Sequence, residues 1–150
     1  MPGWLKGVII AVILVVLLLV GVISAGYLWW ARNRDSLRAG ANQAIAEGRT
    51  FGGSNDNQGC LDEGFVRYKK QPGYFNALNY GQFIEACLQV SRPTLGFCDD
   101  VPVGKMKEMA TWRDLQCRHY DIPNDQKCFD LLVPEVMFCG SRKRGETSQD

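Results

Sequence analysis

Six cysteines carry most of the chemistry this chain of 150 residues could do: Cys60, Cys87, Cys98, Cys117, Cys128 and Cys139. Three uses are open to such a set, namely disulfide bonding, zinc ligation and thiol catalysis. Structural zinc sites favour Cys-x2-Cys pairs, because a tight knuckle presents two thiolates together. The closest cysteines here are eleven positions apart, and the single histidine, His119, has no companion motif. A catalytic thiol wants a nearby histidine or a Cys-x-x-Cys partner. His119 lies two positions after Cys117, but on a helix residues two apart point about 200° from each other. His119 therefore reads as a partly exposed helix residue. Disulfides remain. Their density and even number are the signature of a stapled domain outside the cytosol.

Geometry restricts the pairings. Two cysteines eleven apart on one straight helix would be ~16 Å from each other, and a disulfide needs Cα atoms within about 7 Å. The chain must reverse between any such pair. Pro93 and Gly96 supply a reversal between Cys87 and Cys98, and Pro123 supplies one between Cys117 and Cys128. The expected pairs are thus Cys87–Cys98, Cys117–Cys128, and a long closure Cys60–Cys139. The Cys87/Cys98 and Cys117/Cys128 spacings resemble those of the coiled-coil-helix proteins of the mitochondrial intermembrane space. Pro93 and Gly96 interrupt the first helix that this family requires, so no family is assigned.

Other constellations are absent or incomplete. There is no Gly-x-Ser-x-Gly, no phosphate-cradling glycine loop and no His-Glu-x-x-His. Asp62-Glu63 and Asp99-Asp100 are adjacent acids of the kind that start helices or sit in turns. Residues 52–59, GGSNDNQG, have calcium-loop composition, yet counting from Ser54 the twelfth position is Phe65 and not Glu. They read as a turn whose Asp56 or Asn57 caps the next helix. With no nucleophile, base and orienter grouped together, no enzyme is expected. No catalytic residue, cofactor or metal is assigned.

These cysteines need elements to hold them, and all six follow one long apolar run. Residues 7–31 contain no charge and lie between Lys6 and Arg32. As a helix they would reach ~37 Å, more than the ~30 Å hydrocarbon core of a bilayer. Trp4 at one end and Tyr27, Trp29 and Trp30 at the other are placed as interfacial belts. A cleavable signal peptide would have a shorter apolar core. A type IV pilin leader ending at Gly7 would be followed by a glutamate where Val12 stands. The run reads as a retained transmembrane anchor. Orientation signals conflict, because Arg32, Arg34, Arg38 and Arg49 after the run favour a cytoplasmic C-terminal part. The cysteines favour the opposite side, and we follow them.

After the anchor, the period of the apolar residues predicts helices over residues 60–70, 76–90, 103–120 and 125–133. Leu61, Phe65 and Tyr68 stripe the first; Tyr80, Ile84, Cys87 and Leu88 the second; Met106, Met109, Ala110 and Trp112 the third. The expected organisation is an N-terminal tail (1–6), anchor (7–31), helical stalk and loop (32–54), disulfide-stapled domain (55–139) and disordered charged tail (140–150). The fold class is all-α, one transmembrane helix followed by a bundle of about four helices. With a net charge of +1 and no basic stripe, nucleic acid is not an expected partner. The expected partners are the lipid bilayer and another membrane or extracytoplasmic protein. A helical domain of ~80 residues has little interior for a small molecule. The function expected is that of an accessory or protein-interaction subunit. The alternatives are a small tethered enzyme or ligand-binding domain, and a pilin-like protein.

Overall fold

A computed structural model describes residues 3–146, and among these the regular structure is helical throughout. Five helices follow one another: α1 (Gly3–Gly52), α2 (Asn57–Lys70), α3 (Tyr74–Leu88), α4 (Met106–His119) and α5 (Cys128–Glu146). The fold is all-α, with an apolar N-terminal helix and three disulfides in the C-terminal part. Tertiary contacts divide the chain into two compact units, between Ala39 and Gly40.

In the first unit, α1 is long and apolar enough to cross a membrane, with a mean hydropathy of 3.4 over its most apolar window and none of that window buried. Tyr27 and Trp30 pack with ring centroids 6.5 Å apart. The Arg34 guanidinium lies 5.8 Å from the centre of the Trp30 ring. Residues 3–6, expected as a tail, belong to α1, and residues 1–2 lie outside the described residues.

The second unit starts earlier than expected. Residues 40–54, expected as stalk and loop, are part of the domain. Gly40, Ala44 and Gly48 recur every four residues and so share one face of α1. A Cβ on Gly48 would stand 2.3 Å from the Phe83 carbonyl oxygen, and one on Gly52 would stand 2.5 Å from that of Cys87. Only hydrogen fits at either place. This close approach buries Ala44 and brings the Phe51 and Phe83 rings within 5.8 Å. Arg67 of α2 reinforces it, pairing with Glu47 of α1 and Glu63 of its own helix while its guanidinium covers the Phe83 ring. Leu37, Ala41, Ala44 and Ile45 of α1 make only a thin apolar stripe. Backbone proximity and one arginine complete the contact.

The start of α2 follows capping chemistry. Asp56 has extended backbone angles, and its side chain accepts the Gly59 N–H at 2.9 Å. Asn57 is fully buried and serves another purpose. Its amide donates to Ser91 Oγ and its carbonyl accepts from the Thr94 N–H. Arg92 exchanges backbone hydrogen bonds with Asn55 and Asn57. The chain leaving α3 is thereby pinned to the beginning of α2. At the other end of this helical hairpin, Gly73 turns the chain with φ +144°, a conformation side chains rarely adopt. The two helices interlock at Gly64, where a Cβ would meet Ile84 at 2.4 Å.

That hairpin corrects two of the expected disulfides. Antiparallel helices joined by a short turn bring the start of the first beside the end of the second, so Cys60 meets Cys87 with Cα atoms 5.7 Å apart. Cys87 is therefore not bonded to Cys98. The reversal at Pro93 and Gly96 carries Cys98 onward to α5, where it bonds Cys139 with a Cα separation of 5.3 Å. Cys60–Cys139 is replaced by these two bonds. The Cys117–Cys128 bond is present, across the turn between α4 and α5. No cysteine is free.

α4 begins at Met106 and not at Val103, and its buried residues are Trp112 and Cys117; Met106 and Ala110 of the expected stripe are exposed. α5 is longer than expected. Pro134 lacks the N–H that would bond the Asp130 carbonyl, yet the helix continues to Glu146. Leu131, Leu132, Glu135 and Cys139 are buried on either side of that defect, and their packing offsets the missing bond. Residues 140–146 are helical and not a disordered tail. Gly140 is buried, and the Lys143 ammonium donates to the Val101 carbonyl at 3.1 Å. Residues 147–150 lie outside the described residues.

Candidate functional site

On α5 the residues Cys128, Leu131, Leu132, Glu135 and Cys139 follow the spacing of a buried helix face. Glu135 is the one acid among them, only 5% exposed, and its Oε2 has no hydrogen-bond partner. Burial alone pushes this carboxyl up from its ordinary value of 4.5 to about 7. At the midpoint of α4, Trp112 is also buried and its indole N–H is likewise unpartnered. Each such buried, unpartnered polar atom calls for an explanation. Both residues line the same cleft.

The cleft has a volume of about 440 Å³ and is walled by α2, residues 94–101, the C-terminal half of α4 and Glu135 of α5. Leu61, Val101, Trp112 and Tyr120 are its buried surfaces, and Asp62, Asp100 and His119 are exposed to solvent. Tyr120 stacks on Phe65 with centroids 3.7 Å apart. Its hydroxyl donates to Asp62 Oδ1 and accepts from Gln58 Nε2, both at 3.1 Å. Burial and the Asp62 carboxylate push the Tyr120 hydroxyl well above the usual tyrosine range. It stays protonated and donating. Two disulfides frame the cleft: Cys98–Cys139 closes residues 94–101 onto α5, and Cys117–Cys128 fixes the end of α4 against the start of α5.

A second concave surface lies between α3 and α5. Tyr74, Leu78, Val133, Pro134 and Met137 line it, with Lys127 and Asp130 at its edge. Tyr74, Phe75, Leu78 and Met137 are exposed despite their apolar character. The Lys127 ammonium lies 4.4 Å from the Tyr74 ring centre, and Tyr74 and Phe75 pack edge to face. Sequence periodicity places Tyr74 and Phe75 in a loop; they form the first turn of α3.

The remaining residues singled out from the sequence fall elsewhere. Trp4, Tyr27, Trp29 and Trp30 are all exposed on α1. His119 is exposed at the end of α4, its ring edge-on to Tyr120, and Cys117 is disulfide-bonded and so holds no thiolate. With all six cysteines bonded, none is available as a metal ligand. Asp99 and Asp100 are solvent-exposed beside Cys98. Glu135 is the residue that sequence reasoning missed. Its signal was legible: one carboxylate in the otherwise apolar run LLVPEVMFC, in phase with the buried positions of its helix. No protein-family model, curated protein or solved structure matches this chain.

Proposed function

We propose that the chain is a single-pass, membrane-anchored accessory protein that presents its disulfide-bonded helical domain outside the cytoplasm and binds a protein partner there. The observation that carries this reading is the pairing of two features in one chain. One is a helix long and apolar enough to span a bilayer, with its apolar side chains exposed. The other is a domain in which every cysteine is bonded to another. Apolar surface of that extent is unfavourable in water and favourable in lipid, while three structural disulfides in so small a domain are characteristic of an oxidising compartment.

The α3–α5 groove is the surface we assign to the partner. Three exposed large apolar side chains, Tyr74, Leu78 and Met137, stand together there, whereas scattered single ones would need no explanation. The occupant we infer is a second protein held in the same membrane, because tethering both chains raises their effective concentration and lets a modest apolar contact suffice. Leu78→Asp tests it, since Leu78 is 46% exposed and the charge can remain solvated in the free domain. Extracted in mild detergent after in-cell crosslinking, the wild-type chain is expected to migrate far above its own 16.8 kDa. Leu78→Asp is expected to migrate as the lone chain. A wild-type chain that is always alone, or a variant that keeps the same crosslinked partner, would overturn the assignment.

A further inference from the structure

We propose that the cleft around Glu135 and Trp112 is a binding site for a small protonated amine with an aromatic or apolar body and a neutral oxygen acceptor. This is independent of the partner groove, which lies on the α3 side of α5. The assignment starts from two residues that line one cleft, Glu135 and Trp112, each carrying a buried polar atom with no partner among the described residues, the Glu135 Oε2 and the Trp112 indole N–H. A buried group left unpaired is costly, and the cost falls when a ligand supplies the missing partner.

The chemistry of the walls then selects the ligand. Asp62, Asp100 and Glu135 line the cleft, and no Lys or Arg does. An anion would meet three carboxyl groups, with the exposed His119 imidazole as the one basic side chain beside them. A cation would meet those carboxyl groups as countercharge, and an ammonium forms a charge-assisted hydrogen bond with the Glu135 carboxylate. Trp112, Tyr120 and Phe97 supply ring surfaces, which favour cations and flat apolar bodies alike. The Trp112 N–H is a donor only, so it demands an acceptor from the ligand. The Tyr120 hydroxyl is already committed to Asp62 and Gln58, and is therefore part of the wall. A volume of about 440 Å³ lies within the range of small-molecule sites.

The experiment is a calorimetric titration of the full chain in detergent at pH 8 with tyramine, which carries an ammonium, a ring and a phenolic oxygen. Tyrosol, in which a hydroxyl replaces the amine, is the neutral control. Tyramine is expected to bind saturably with one equivalent per chain, and tyrosol at least tenfold more weakly. Glu135→Gln, which keeps the shape and removes the charge, is expected to weaken tyramine at least tenfold and leave tyrosol unchanged. Trp112→Phe, which removes the N–H donor while keeping a ring, is expected to weaken both ligands several-fold. Far-UV circular dichroism reports the fold of each variant, and if one fails to fold the other decides. Absence of saturable tyramine binding would mean that water alone occupies the cleft and would overturn the proposal. Equal affinity for tyramine and tyrosol, or wild-type affinity in the folded variants, would overturn it as well.

Discussion

A chain carrying Cys98→Ala together with Cys139→Ala is expected to lose about 4 kcal/mol of domain stability, the largest loss of the three disulfides. The bond closes 41 residues, against 27 for Cys60–Cys87 and 11 for Cys117–Cys128. In the chain-entropy account the restraint on the unfolded chain grows with the logarithm of loop length, so the shortest loop is worth about 3 kcal/mol. The folded state points the same way. Residues 89–105 form no helix beyond turns and lie between α3 and α4. They are held by the Asn57 and Arg92 hydrogen bonds at one end, by Cys98 in the middle and by Lys143 to Val101 further on. Without Cys98–Cys139 the wall of the cleft is left with those polar contacts, the buried Val101 and the packing of Phe97 on Phe138. For a domain of about 100 residues, a change of 4 kcal/mol corresponds to roughly 15–30 °C in melting temperature. Thermal or urea unfolding of the full chain in detergent measures it, beside Cys117→Ala with Cys128→Ala as the comparison. A loss below about 1 kcal/mol for Cys98/Cys139 would show that this bond does not hold the domain together.

Glu135→Gln is expected to stabilise the domain at pH 8, by on the order of 2–3 kcal/mol, and to leave it unchanged at pH 4. The sign follows from linkage. In the folded chain the Glu135 carboxyl titrates near 7, and in the unfolded chain near its ordinary 4.5. Between those values the folded state holds the proton that the unfolded state has released. Stability therefore falls as pH rises from about 4.5 to about 7, and is level in this respect above 7. Glutamine keeps the volume and cannot ionise, so its curve lacks that descent. The other titratable residues that line the same cleft are Tyr120 and His119 at the α4 end, Asp62 of α2 and Asp100 of the preceding loop, and burial alone raises the Glu135 carboxyl. None of the acids or the phenol supplies a positive charge that would hold the carboxylate ionised. Paired urea titrations at pH 4, 6 and 8 make the comparison. Parallel curves for the two chains would show that Glu135 is solvated in both states.

The legibility of this fold varied with how local each determinant is. The apolar run, the helix positions and the Asp56 cap depend on residues within one or two turns, and they are read from spacing and composition. Disulfide pairing depends on which helices are antiparallel neighbours. Cys87 looked nearest to Cys98 along the chain, but the Asn55–Arg92 and Asn57–Arg92 hydrogen bonds put Cys87 beside Cys60 instead. The helical segment before Gly52 looked too sparse to pack. Its burial rests on glycines that let backbones touch, at Gly48 and Gly52, and not on side-chain hydrophobicity. The fourth helix was expected to end at 133, with Pro134 kinking it or starting a short turn, and tertiary burial on both sides of Pro134 carries the helix on instead. The charged composition after Cys139 concealed a helix end that is tied back through Lys143. The cleft depends on four separate segments converging, and only the isolated Glu135 in its apolar run marked it in advance.

The central claim is that this domain lies in an oxidising compartment on the far side of a membrane helix, and thiol accounting in intact cells tests it most directly. Cells are quenched under denaturing conditions with a heavy maleimide, before and after reduction, and the mass shift of the full chain is read. The account predicts no modification before reduction and six after it, one for each of the six cysteines. Six modifications without reductant would place the domain in the cytosol, vindicate the arginines that follow the apolar run, and contradict the account.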